Sequence, residues 1–204
     1  MLGSRYEKDD VLRLVLAVKP LLEAQGLGVV LTRAEDAAVP IAERCRIANE
    51  AGCAYFLSLH RDAADPAARG MGLWVHSRAD WPTVQKAQDI LTELLAVAPA
   101  QNRGVRKGTP QDYQDFGVNA GTTMASALLE LGFLTNEADN ALFDRSFPQY
   151  AEAVARGLCR AVGVSYRRPE AGGAPQGAVR EEDLRAAFDE LAAALESARR
   201  KLGM

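Results

Sequence analysis

CAYFLSLHRD, residues 53 to 62, is the stretch on which the fold turns. Its β-prone and apolar residues form a run of strand length, and that run ends in His60, one of two histidines in the chain. A buried strand that meets a loop in a polar side chain is how open α/β sheets present their chemistry. His60 is therefore either a site residue or a histidine that caps the strand and bonds a backbone carbonyl. The stretch alone does not separate the two.

Working outward, the spacing predicts alternating helices and strands. Val11, Leu14, Val15, Val18, Leu21 and Leu22 recur at helical spacing between Lys8 and Gln25, and Gly26 is a stop. GVVLT (28–32) is a β-branched run that predicts a strand, and 41–51 predicts a helix leading into the strand 53–60. Beyond His60, GLWVH (72–76) predicts a strand, and Pro82 opens a helix to about Val97. The polar stretch 99–123 has no clear period and several glycines, so it reads as a long surface loop or short irregular elements. ASALLELGF (125–133) is another buried strand, followed by helices near 137–143 and 148–162. This alternation predicts a three-layer α/β fold, with a mostly parallel sheet and helices on both faces.

After Tyr166 the composition shifts to RRPEAGGAPQGA, which reads as a flexible linker over about 167–180. Leu184, Phe188, Leu191, Leu195, Ala198 and Leu202 then follow a heptad seam in a C-terminal helix, 181–204. So short a helix is marginal alone. It would pack on the domain or pair with its copy, making residues 181–202 a possible homodimer contact.

Composition narrows the function. A net charge of −3 and a pI near 5.5 argue against a nucleic-acid partner. Cys45, Cys53 and Cys159 have no metal spacing and read as small core residues of a chain made in a reducing compartment, the cytoplasm. No apolar run has the length of a membrane span, and MLGSRYEKDD shows no signal-peptide core.

Two carboxylates invite attention. Glu130 lies inside the apolar ALLELGF, where an unpaired buried carboxylate costs several kcal/mol. It is either paired with an arginine at the strand end or an acid in a cavity. Glu7, in YEKDDVLRL, stands where the helix dipole favours an acid in any case. His76 ends a strand among apolar neighbours and reads as a satisfied sheet residue.

Taken in order, Glu7 opening the first helix, His60 in FLSLHRD and Glu130 in ELGFLTN resemble the zinc-dependent N-acetylmuramoyl-L-alanine amidases of family 3. LTRAED (31–36) and ERCRIAN (43–49) add to the match, which runs from about residue 5 to 165. The resemblance implies a peptidoglycan hydrolase acting in the cell wall, which cuts the amide between the lactyl group of muramic acid and L-alanine. It also implies a zinc ion that activates water, with Glu7 and His60 among its ligands and Glu130 as the catalytic acid/base. The family's other histidine ligand follows a first strand that precedes the position of Glu7. Here six residues precede Glu7 and none is histidine, so the reading expects an N-terminally incomplete site that holds zinc weakly, and a sheet edge or gap left unpaired. A non-catalytic cell-wall binding or regulatory protein is the alternative. If the metal reading holds, His60, Glu7 and Glu130 should face one cavity.

Overall fold

The computed structural model describes residues 5–109 and 115–168. The expected linker and heptad helix lie outside the described residues. In chain order the elements are α1 (Glu7–Glu23), α2 (Ile41–Glu50), β1 (Tyr55–Asp62), β2 (Met71–Val75), α3 (Trp81–Val97), β3 (Asn102–Lys107), α4 (Gly117–Gly121), β4 (Ala125–Phe133), α5 (Glu137–Arg145) and α6 (Phe147–Ala161).

The strands form a mixed sheet in the order β1-β4-β2-β3. β1 runs parallel to β4 and β2 parallel to β3, while β2 and β4 are antiparallel. Strand alternation sorts the side chains to two faces. Leu57 and Leu59 of β1, Ala127, Leu129 and Leu131 of β4, and Met71, Leu73 and Val75 of β2 pack into the main core with α1, α3 and α6. Phe56, Leu128 and Trp74 point the other way, into a smaller cluster with Ala48 of α2 and Val118 of α4. Helices thus cover both faces, as the alternation predicts.

Two sequence-based expectations are corrected. GVVLT (28–32) forms no strand. β-branched residues favour extended backbone, but a strand needs a paired neighbour, and residues 30–33 are separated from β1 by a groove that both line. Within 99–123, expected as irregular, stand β3 and the short α4. β3 is NRGVRK, an edge strand paired on one side to β2, so Val105 is its single apolar residue and no alternating pattern betrays it.

At the other edge of the sheet β1 pairs with β4 as its one strand partner among the described residues. The three cysteines are free, with Cys45 and Cys159 buried. Among the described residues no helix is long and apolar enough to cross a membrane.

Candidate active site

The site is built where β1 and β4 end side by side. Parallel pairing sets His60 opposite Glu130, and Glu130 is also opposite Gly72 of β2. Both polar side chains have the parity of Phe56 and Leu128, so they emerge on the face of the smaller cluster. Glu7, the first residue of α1, reaches the same place from the side. Its Oε1 accepts from His60 Nδ1 at 2.8 Å and from the Arg61 N–H at 3.1 Å. His60 Nε2 lies 3.1 Å from Ser58 Oγ.

A buried clamp beneath holds the helix to the strand. Arg61 points to the opposite face from His60, its side chain wholly buried. Its Nη1 donates to Asp10, one turn beyond Glu7, at 2.6 Å, and its Nη2 donates to Asn140 at 2.6 Å. Arg5 donates to the same Asp10 oxygen at 2.8 Å and bridges to Asp144. One helical turn, Glu7 to Asp10, therefore grips two adjacent strand residues, His60 and Arg61. Sequence reasoning missed Arg61 and Asp10. The signal was there in an arginine directly beyond the apolar run, at a position that must face the helices.

Near its end β4 is irregular at Gly132, whose φ of 97° suits glycine. A Cβ there would lie 3.0 Å from Asp139 Oδ2. That buried oxygen accepts from the N–H groups of Phe133 at 2.8 Å and Gly70 at 2.9 Å. The kink fixes the strand two residues past Glu130.

The three charges differ in state. Burial pushes the Glu7 carboxyl up, but the hydrogen bond and charge of His60 and the Arg61 N–H outweigh it, so the group lies below its ordinary value. Burial pulls the His60 imidazole down, and the Glu7 bond and the charges of Glu7 and Glu130 more than reverse this. Glu130 goes the other way. Desolvation dominates, Asp62 and Glu7 add to it, and the nearby His60 opposes it only in part, so its pKa is pushed up to about 7. Its Oε2 is buried without a hydrogen-bond partner. A carboxyl poised near neutrality with a free, shielded oxygen has the attributes of a proton shuttle.

A groove of about 510 Å³ runs along the free edge of β1, with Glu7 and His60 at its polar end; Glu130 is not among its lining residues, so the single cavity expected for all three is not what the structure shows. Val11, Val15, Val30 and Ile41 are among its apolar walls. His76 stands apart, beyond β2. Its Nδ1 accepts from the Arg78 N–H at 3.0 Å and its Nε2 lies 3.5 Å from Asp115 Oδ2, so it is satisfied locally. Among the described residues no group of three or more His, Cys, Asp or Glu side chains could hold a metal ion.

An acid near neutrality thus stands beside a carboxylate–imidazole pair at the strand ends of a helix-covered mixed sheet. The chain belongs to the N-acetylmuramoyl-L-alanine amidase family 3, whose model matches residues 2–160. Among curated relatives, it is 30% identical over 163 residues to the N-acetylmuramoyl-L-alanine amidase CwlM of Bacillus licheniformis, covering 78% of this chain and 61% of that protein. It is 32% identical over 144 residues to a probable cell wall amidase, LytH, of Staphylococcus epidermidis, covering 70% and 44%. The chain thus spans less than two thirds of the length of either relative. Among solved structures, AmiC2 of Nostoc punctiforme matches with a TM-score of 0.71 and 30% identity, covering 79% of this chain and 87% of that one. The catalytic domain of CwlV from Bacillus (Paenibacillus) polymyxa var. colistinus also matches with a TM-score of 0.71, at 28% identity, covering 79% and 88%.

Proposed function

We propose that this chain is a peptidoglycan hydrolase that cleaves the amide between N-acetylmuramic acid and the L-alanine of the stem peptide, with Glu130 as acid/base and Glu7 and His60 as metal donors. The observation that carries the reading is the state of Glu130: a carboxyl with pKa about 7 and one buried, unpartnered oxygen, on the same face as His60 and Glu7. In its ionised form Glu130 accepts a proton from the attacking water, and once protonated it donates to the leaving amine of L-alanine. Glu7 orients the His60 ring through Nδ1.

Family 3 amidases are generally zinc enzymes. A carboxylate and an imidazole are suitable zinc donors, but a catalytic zinc site usually has three protein ligands. Glu7 and His60 are two, and the described residues bring no third donor to them. They do not by themselves make a complete zinc site. The groove along β1 leads to both donors and is where an added strand bearing a histidine would lie against the free sheet edge. Calorimetric titration with zinc should therefore give weak binding to this chain, and tight, one-to-one binding to a version extended by such a strand. Tight one-to-one binding to the chain itself contradicts the two-donor reading.

The incomplete donor set favours a second reading, a cell-wall binding protein that kept the amidase fold. Binding of muropeptide without turnover, in both the chain and its extended version, would be its mark. In either case the place of action is the cell wall.

A further inference from the structure

On the side away from the groove the sheet ends in β3, which is hydrogen-bonded to β2 alone among the described strands. β3 carries Arg103, Arg106 and Lys107 and no acid, in a chain whose net charge is −3. Neutral groups hold each of these cations. The Arg103 guanidinium carbon sits 4.9 Å from the centre of the Phe133 ring, and Nη1 donates to the Arg69 carbonyl at 3.3 Å. Arg106 lies over the Trp74 ring, 5.4 Å from its centre, and donates through Nε to the Arg103 carbonyl at 3.2 Å. Lys107 Nζ donates to the Ala79 carbonyl at 2.6 Å. Aromatic faces and carbonyls fix the place of a cation without cancelling its charge.

Arg69, Arg103, Arg106 and Lys107 form no ion pair with a carboxylate among the described residues, whereas Arg13, Lys19, Arg46, Arg156 and Arg160 on the helices each have one. Nearby Arg78 differs, since the Asp115 carboxylate acts on it. Arg69, Arg106 and Lys107 are exposed and Arg103 is half-buried. From Arg103 to Lys107 the strand covers about 13 Å. The result is a short positive strip whose members are largely ordered in advance, which lowers the cost of binding an anion.

We propose that the β3 edge, through Arg69, Arg103, Arg106 and Lys107, is a second contact for peptidoglycan, which binds stem-peptide carboxylates of the same polymer that has another stem in the site. The identity of the partner rests on the amidase reading above. The charges are complementary. Each stem peptide that is not cross-linked ends in a free carboxylate, which arginine binds through two parallel hydrogen bonds. Two strand spacings put β3 roughly 10 Å from β4, so one polymer chain reaches both places. A muropeptide with its single stem in the site has no other stem to offer. Two contacts on one polymer raise the effective concentration at the second, so the wall is held more tightly than its soluble fragments.

The test is sedimentation of the whole chain with purified peptidoglycan sacculi, cleared of phosphate polymers by hydrofluoric acid. Binding should weaken at least about fivefold in the double variant Arg106→Gln/Lys107→Gln and stay within about twofold of the wild type in Arg106→Lys. For the wild type it should weaken by a similar factor when the sacculus carboxylates are amidated, or when salt rises from about 50 mM to about 500 mM. Calorimetric affinity for a soluble single-stem muropeptide should be the same in the double variant as in the wild type. Unchanged sacculus binding in the double variant, or equal binding of amidated and untreated sacculi, overturns the proposal. A strip that serves only to keep other strands off the edge gives that unchanged binding. Binding seen only before the acid step also overturns it, and assigns the strip to phosphate polymers. The amidated sacculi decide even if the double variant does not fold. Because sedimentation reads binding, an extended chain that fails to cut muropeptides overturns the amidase reading alone, and the sacculi still judge the β3 edge.

Discussion

At the residue scale the behaviour of Glu130 follows from desolvation. An ordinary glutamate near 4.5 has been moved to about 7, so the native state binds its proton more tightly than the unfolded chain does. The sign follows from that difference. This carboxyl lowers stability as pH rises from about 4.5 to about 7, and its full cost is present above that window. Glu130→Gln removes the cost and keeps the shape. Its melting temperature should gain on the wild type between pH 4 and pH 8, by the equivalent of something on the order of 3 kcal/mol. A difference between the two proteins that does not change with pH would mean that Glu130 is not held near neutrality. His60 is understood the same way, through its partner. The cap-or-site question raised by its position is answered by Glu7, 2.8 Å away, which no reading of residues 53–62 alone could supply.

At the element scale, α1 and β1 are joined by a buried ion pair whose partners are also hydrogen-bonded, and the proposed site depends on that joint. The Arg61 side chain is fully buried and that of Asp10 is 11% exposed. Asp10→Asn would leave the guanidinium uncompensated, at a cost of about 3–5 kcal/mol. Denaturant unfolding measures this directly, and a loss under 1 kcal/mol would show that the clamp is dispensable. The same two elements show what could be read in advance. α1 was legible because its apolar residues repeat at helical spacing, and β1 and β4 because they are apolar runs of strand length bounded by polar residues. GVVLT and β3 were misread for opposite reasons. GVVLT has strand propensity but no paired neighbour, whereas β3 has a paired neighbour but an edge strand's polar sequence. The register shift between β2 and β3 is invisible in RGVRK, because register depends on the partner strand. The ordered set of Glu7, His60 and Glu130 could be found from family resemblance, and the convergence of their elements from the fold class. Their bonds to Arg61 and their proton affinities required the packed structure.

At the scale of the whole molecule, the heptad seam from Leu184 to Leu202 leads to a proposal made from sequence: a linker over 167–180, then a helix that pairs with its copy. Light scattering should give the full chain twice the protomer mass, and a chain ending at Tyr166 a single protomer mass. Equal protomer masses for both would leave the helix without a role in self-association. The proposed amidase working through Glu130 is tested on its own reaction. The most direct measurement is mass spectrometry of purified muropeptides incubated with excess zinc and the chain extended by a histidine-bearing strand, run beside the Glu130→Gln variant of that extended chain at matched zinc content. The chain without the extension should show little or no turnover. The account predicts that the sugar with its intact lactyl group and the free stem peptide beginning at L-alanine appear together, at least about a hundredfold more slowly in the variant. Cleavage at another bond, or an equal rate in Glu130→Gln, would contradict it.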